Sequence, residues 1–140
     1  MRINKVETAR EIDDLLPMIK KIYDNTPLGK HISISGYIGW LLMNIPRPDF
    51  EIWYAINEHS EVCGFVVIEK VTRLFTFECH IHDAYMGWND PRFSEQILDD
   101  IETWAADKQC QTISMYSNRS DALSKRFGFE TAGTLLIKAI

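Results

Sequence analysis

The sequence predicts one mixed α/β domain, and three observations carry that expectation. Apolar residues recur at helical spacing through the first 45 positions. From Phe50 to His82 the period changes to that of strands, with β-branched and aromatic residues in three successive runs. A helical stripe then returns between two strand-like runs over residues 74 to 117, which is the pattern of a parallel strand–helix–strand crossover. Together they imply a mixed, mostly antiparallel sheet with helices on both faces and a central parallel crossover.

"RINKVE" is a short strand candidate. Thr8 can cap the next segment, where Ile12, Leu15, Leu16, Ile19, Ile22 and Tyr23 form one stripe, so a single first helix is expected. "DNTPLGK" breaks it. A second, more aromatic helix carries Ile34, Tyr37, Ile38, Leu41, Leu42 and Ile45; Ser33 or Ser35 opens it, and Pro46 and Pro48 stop it. "FEIWYAIN", "EVCGFVVIEKV" and "LFTFECHIH" read as an antiparallel meander, the first two joined by the turn-like "NEHSE". Ile97, Leu98, Ile101, Trp104 and Ala105 then share one face of a helix that Asp90 or Ser94 could cap. "TISMYS" reads as a strand, "SDALSKRF" as a short helix and "TAGTLLIKAI" as a final strand.

Composition removes several function classes. With 140 residues, 46% of them hydrophobic, the chain can bury roughly 70% of its unfolded surface as one domain spanning residues 1–140. A net charge of −5 argues against a protein built to hold nucleic acid or an anionic membrane. Cys63, Cys79 and Cys110 are odd in number and without a CxxC pair, so neither a disulfide framework nor a zinc knuckle is expected. The charged start "MRINKVETAREIDD" is unlike a signal peptide, and "GYIGWLLMNI" is about half the ~20 residues of a membrane span. The expected location is the cytoplasm. No Walker loop, nucleophile elbow or dinucleotide fingerprint occurs.

The element order resembles that of the GNAT superfamily, the acyl-CoA dependent N-acyltransferases. "NRSDALSKRFGFETAG" is similar to the family's run in which an Asn ends a strand, a short helix follows and a Gly-Phe pair leads into the last strand. Those positions are Asn118, Ala122, Gly128 and Phe129. A glycine is suited to the left-handed end of that helix, with Phe129 returning to the core. "YMGWNDPRFS" stands at the place of the family's pyrophosphate loop. Tyr85 and Gly87 match its start, but Met86 replaces the arginine and the later glycines are absent. A helix N-terminus there still presents free N–H groups and a positive dipole end; Arg92 adds a cation, whereas Asp90 competes and Pro91 removes a donor.

The resemblance implies a direct transfer of an acetyl or related acyl group from acyl-CoA to an amine, the acceptor being a small molecule or a protein. Acetyl-CoA would be the cosubstrate, with no metal. Ile81 and His82 would align the pantetheine through their backbone, Gly87, Trp88, Asn89, Arg92, Phe93 and Ser94 would hold the diphosphate, and Asn118 would touch the cofactor. Where many members carry a tyrosine general acid this chain has Ser124, a poorer donor, and Tyr116 could substitute. Tyr37 and Trp40 would line the acceptor pocket, or simply belong to the core.

Glu78, His80 and His82 alternate along one strand, so all three leave one face while Phe77, Cys79 and Ile81 leave the other. Glu78 or His80 suits the base that deprotonates the amine. Three ligands for a metal and a partly solvated sheet face are the competing readings. The altered loop, Ser124, Trp88 and Phe93 support an alternative function, a catalytically inactive GNAT-like binding or assembly protein of the kind encoded by phages. Either reading leaves room for a homodimer.

Overall fold

The computed structural model describes residues 1–25, 32–86, 91–116, 127–133, 136 and 138. Along them run β1 (Arg2–Lys5), α1 (Ala9–Asp14), α2 (Leu16–Asn25), α3 (Ile34–Asn44), β2 (Phe50–Ile56), β3 (Val62–Arg73), β4 (Thr76–Met86), α4 (Pro91–Asp107) and β5 (Thr112–Met115). Among the described residues the strands form one five-stranded sheet in sequence order. Every neighbouring pair is antiparallel except β4 and β5, which run parallel on either side of the α4 crossover. The expected sheet and crossover are both present.

The expected first helix is two helices. Pro17 has no N–H to give the carbonyl of Asp13, and its ring crowds that carbonyl, so the helical ladder cannot run through. Leu15 closes α1 instead, its N–H reaching the carbonyls of Glu11 and Ile12 at 3.1 Å each. The stripe nevertheless stays continuous, because Ile12, Leu15 and Ile19 are all buried across the break. At the front of α1 the Thr8 N–H and hydroxyl both donate to Glu11 Oε1, at 3.1 and 3.2 Å. Ser33 caps α3 as expected, its hydroxyl oxygen accepting from the Gly36 N–H at 3.1 Å. Ser94 does not cap α4, which already starts at Pro91, a residue suited to a first helical position; Ser94 is buried inside its first turns.

Strand alternation sorts the core into two layers. Trp53, Ala55, Val66, Ile68, Cys79 and Ile81 face α4, where Ile97, Leu98, Ile101 and Ala105 meet them. Phe50, Ile52, Phe65 and Val67 face the other way, onto Ile12, Leu15, Ile19 and Leu41 of the first three helices. Each fully buried large side chain contributes about 1.5–3 kcal/mol, so both layers are needed to hold the sheet. Glu51 ties the α4 layer together: its carboxylate accepts from Trp53 Nε1 at 3.1 Å and from Trp104 Nε1.

The "NEHSE" turn forms as expected. Asn57 Oδ1 accepts from the N–H groups of His59 and Glu61 at 2.9 and 3.0 Å, and Ser60 takes the left-handed conformation at φ 61°. Gly128 has φ 74°, the conformation expected at the end of the short helix, and Phe127 and Phe129 pack on the α4 layer. The final strand does not form at its described positions. Residues 131–133, 136 and 138 lie outside any strand, and Leu136 is 87% exposed; an apolar run becomes a strand only against a partner edge.

Candidate functional site

The side chains of Glu78, His80 and His82 leave β4 on the face turned toward α3, opposite Cys79 and Ile81, as alternation requires. The face is less solvated than the sequence suggested. Glu78 and His80 are buried and His82 keeps 25% of its side-chain exposure, because α3 and the chain after it lie across this end of the sheet.

A bulge then changes the alternation. Val67 pairs with Asp83 and the next residue, Ile68, pairs with Ile81, so His82 is the extra residue of β4. Asp83 consequently points to the same side as His82 and meets α3, where Tyr37 donates its hydroxyl to Asp83 Oδ2 at 2.6 Å. Burial raises the Asp83 carboxyl, opposed by that hydrogen bond and by His82; burial first, then Asp83, raises the Tyr37 phenol. Each group therefore keeps its proton to higher pH than it would in water.

His82 is enclosed by rings and fixed by a carboxylate. Its imidazole lies edge-on to Trp40 and His80, with centroids 5.0 and 4.8 Å away, and tilted toward Phe50 at 6.3 Å. Nε2 is 2.8 Å from Glu69 Oε1 on β3. The other Glu69 oxygen is 2.8 Å from Arg47 Nη1, and Arg47 also donates to Asn44 Oδ1 at 2.6 Å. Asn44, buried at the end of α3, donates to the Trp40 carbonyl at 2.8 Å. Arg47 stands between Pro46 and Pro48, whose fixed φ angles hold its backbone in one place. An unbroken polar line therefore runs from α3 through β3 to His82.

His80 has a different partner. Its Nδ1 is 2.8 Å from Ser114 Oγ on β5, and its ring lies edge-on to Tyr116 at 5.5 Å. Burial, and then the neighbouring His82, bring the His80 imidazole down to about 4. Glu78 sits nearer the β3–β4 turn, with Arg73 Nε 3.1 Å from its Oε2 but out of line for a hydrogen bond. Among the described residues no group of three or more His, Cys, Asp and Glu side chains is arranged to hold a metal ion, and the nitrogens and oxygens that would bind one are partly engaged with protein partners.

The last pair between β4 and β5 is Ile81 with Met115, whereas β4 runs on to Met86. At this end of the pairing His80, His82 and Tyr116 gather, and Tyr116 is 58% exposed. Tyr37 and Trp40, stacked with centroids 5.9 Å apart, form the α3 wall of this place and are half-buried, neither pure core nor open surface. The structure thus brings Glu78, His80, His82, Tyr116, Tyr37 and Trp40 to one face of the sheet. Ile81 faces the α4 layer and can serve only through its backbone. Gly87, Trp88, Asn89, Asn118 and Ser124 lie outside the described residues, as do the side chains of Arg92 and Phe93.

Sequence reading missed Glu69, Arg47, Asn44, Asp83 and Ser114. Glu69 and Ser114 could have been found by pairing the strands, since Glu69 and Ser114 are both register partners of His80. Asp83 could not, because simple alternation sends it to the opposite face.

Neither Cys79 nor Cys110 is an activated thiol. Cys79 is fully buried on the far face, and burial, with Cys110 and Glu78 adding to it, pushes its thiol up to about 12. Cys110 is half-buried just beyond the end of α4. Its thiol is also raised by burial.

No family model and no curated protein matches the sequence. Solved structures match along essentially the whole chain. An aminoglycoside 6'-N-acetyltransferase from Acinetobacter haemolyticus superposes with a TM-score of 0.77 at 11% identity, over 100% of this chain and 98% of that one. A second aminoglycoside N-acetyltransferase, solved in complex with CoA, gives 0.75 at 10% identity over 99% and 93%. A GNAT family acetyltransferase from Staphylococcus aureus gives 0.68 at 17% identity over 100% of both chains. The chain has the fold of the GNAT acetyltransferases.

Proposed function

We propose that the protein is an N-acyltransferase that moves an acetyl or related acyl group from acyl-CoA directly to an amine, in the cytoplasm. The observation that carries this reading is the position of the imidazole pair, at the last pairing of β4 with β5 in a fold shared with acetyltransferases. Bound there, acyl-CoA would supply the activated thioester. The backbone at Ile81 and His82, the start of α4 with the loop before it, and Asn118 are the parts of this chain proposed to hold it; helix N-termini suit a diphosphate. The β4 row offers the base, with Glu78 and His80 as candidates. Tyr116, exposed beside His80, would return a proton to the leaving sulfur, with Ser124 as the alternative donor. Trp40 and Tyr37 border the acceptor.

Isothermal titration with acetyl-CoA and with CoA tests the reading. Binding at micromolar to millimolar concentration is expected, together with thiol release when an amine panel that includes aminoglycosides is added. No heat with either ligand at millimolar concentration removes the proposal.

A second reading, a binding or assembly domain without catalysis, is favoured by one observation. The β3–β4 turn presents Leu74 and a fully exposed Phe75. Light scattering over a concentration series separates the two: a monomer that binds CoA excludes it.

A further inference from the structure

We propose that His82 is the general base of the transfer and that Glu69 and Arg47 are its positioning residues, a carboxylate–imidazole pair built across β3 and β4. This rests on the acyltransferase reading and names which group takes the proton.

Three observations carry it. Glu69 Oε1 lies 2.8 Å from His82 Nε2, so the carboxylate accepts the Nε2 hydrogen and leaves Nδ1 as the unprotonated nitrogen. Among the described residues Nδ1 has no hydrogen-bond partner, while Trp40, His80 and Phe50 prevent the ring from turning away. Arg47 completes the arrangement. It binds the second Glu69 oxygen at 2.8 Å from a backbone held between two prolines, which keeps the carboxylate aimed at His82.

His80 lacks this support. Its partner is the Ser114 hydroxyl, which cannot offset a positive imidazolium as a carboxylate does. Burial makes it a weak base in addition. Glu78 is buried against Arg73, at the opposite end of the β4–β5 pairing.

In the transfer, the amine nitrogen forms the new C–N bond with its lone pair and its proton passes to His82 Nδ1. The thioester C–S bond breaks with its electron pair on sulfur. The imidazolium that results is stabilised by Glu69, sulfur takes a proton from a neighbouring donor, and His82 gives its proton back to that donor through solvent, so charge and protons balance over the cycle.

The tests need one readout apart from turnover. In the 15N-labelled wild-type protein, long-range 1H–15N correlation at neutral pH should show His82 as the Nε2–H tautomer, and Glu69→Leu should turn it into a mixture. His82→Gln should lower kcat by about 100-fold or more, the usual contribution of a general base, with acetyl-CoA affinity within about twofold. Glu69→Gln and Arg47→Met should lower kcat by about tenfold with KM nearly unchanged, the signature of a group that acts only at the transition state. An Nδ1–H tautomer in the wild type overturns the assignment even where the variants fail to fold. So does a His82→Gln enzyme that keeps kcat within about threefold, and in that case acyl transfer itself survives. A wild-type protein that neither binds acetyl-CoA nor acylates any amine removes both proposals together.

Discussion

At the scale of single residues, the Tyr37–Asp83 hydrogen bond is the most exacting contact between α3 and β4. A hydroxyl 2.6 Å from this half-buried carboxylate is needed there because burial alone disfavours the charged form. Replacing Tyr37 by Phe leaves that carboxylate without its donor, at a cost of about 1–3 kcal/mol in unfolding free energy near neutral pH. The pH dependence has a definite sign. Asp83 in the fold holds its proton to higher pH than in the unfolded chain, so its contribution falls as pH rises from the usual aspartate value to the raised one. Loss of the Tyr37 hydroxyl raises the folded value further and widens that window. Urea unfolding of Tyr37→Phe should therefore show a loss that grows from acid to neutral pH. An equal loss at every pH would contradict this account.

At the scale of elements, the end of α4 is closed by a residue poorly suited to it. The Cys110 N–H reaches the Ala105 carbonyl at 2.8 Å and the Gln109 N–H reaches that of Ala106 at 3.0 Å, so the helix ends in a Schellman motif. Gln109 occupies its left-handed position at φ 64°, where a Cβ is crowded and glycine is not. Gln109→Gly should stabilise the fold by about 0.5–1 kcal/mol, the relief of strain exceeding the extra freedom of glycine in the unfolded chain. Calorimetry would register this as a rise of about 2–4 °C in Tm. A fall in Tm would mean that the Gln109 side chain makes contacts worth more than the strain. The same element scale explains the broken first helix. Pro17 was visible in the sequence, yet a stripe that stayed in phase across it concealed the break, because burial sees only which face a residue occupies and not whether its N–H is paired.

At the scale of the whole molecule, the packing of helices on the α3 face of the sheet buries the imidazole of His80 beside the parallel pair β4–β5, and stability should record it. In the unfolded chain His80 takes up a proton near its ordinary value of about 6.5, whereas in the fold it does so only at about 4. The unfolded state thus binds more protons across that window, and folding stability must fall as pH falls from about 6.5 to 4. The loss is about 2 kcal/mol, the shift being discounted for the ring's remaining contact with solvent. Asp83 acts in the opposite sense at the acid end of the same window, in wild type and variant alike. The difference between wild type and His80→Gln, measured by chemical unfolding from pH 4 to 7, isolates the histidine: the variant should show a flatter acid limb. Identical limbs would mean that His80 is hydrated in solution.

Much of this architecture was legible in the residues themselves. Helix and strand periods, the Ser33 cap, the left-handed Gly128 and the shared face of Glu78, His80 and His82 all follow from local rules, since a side chain's direction depends on the few residues around it. Tertiary structure alone decided that His82 and Asp83 share a side, that Glu69 reaches His82, and that Arg47 holds Glu69. The physical reason is register. A bulge is chosen by the summed hydrogen bonding and packing of two strands, and a single strand's sequence contains no record of where its partner slips by one residue.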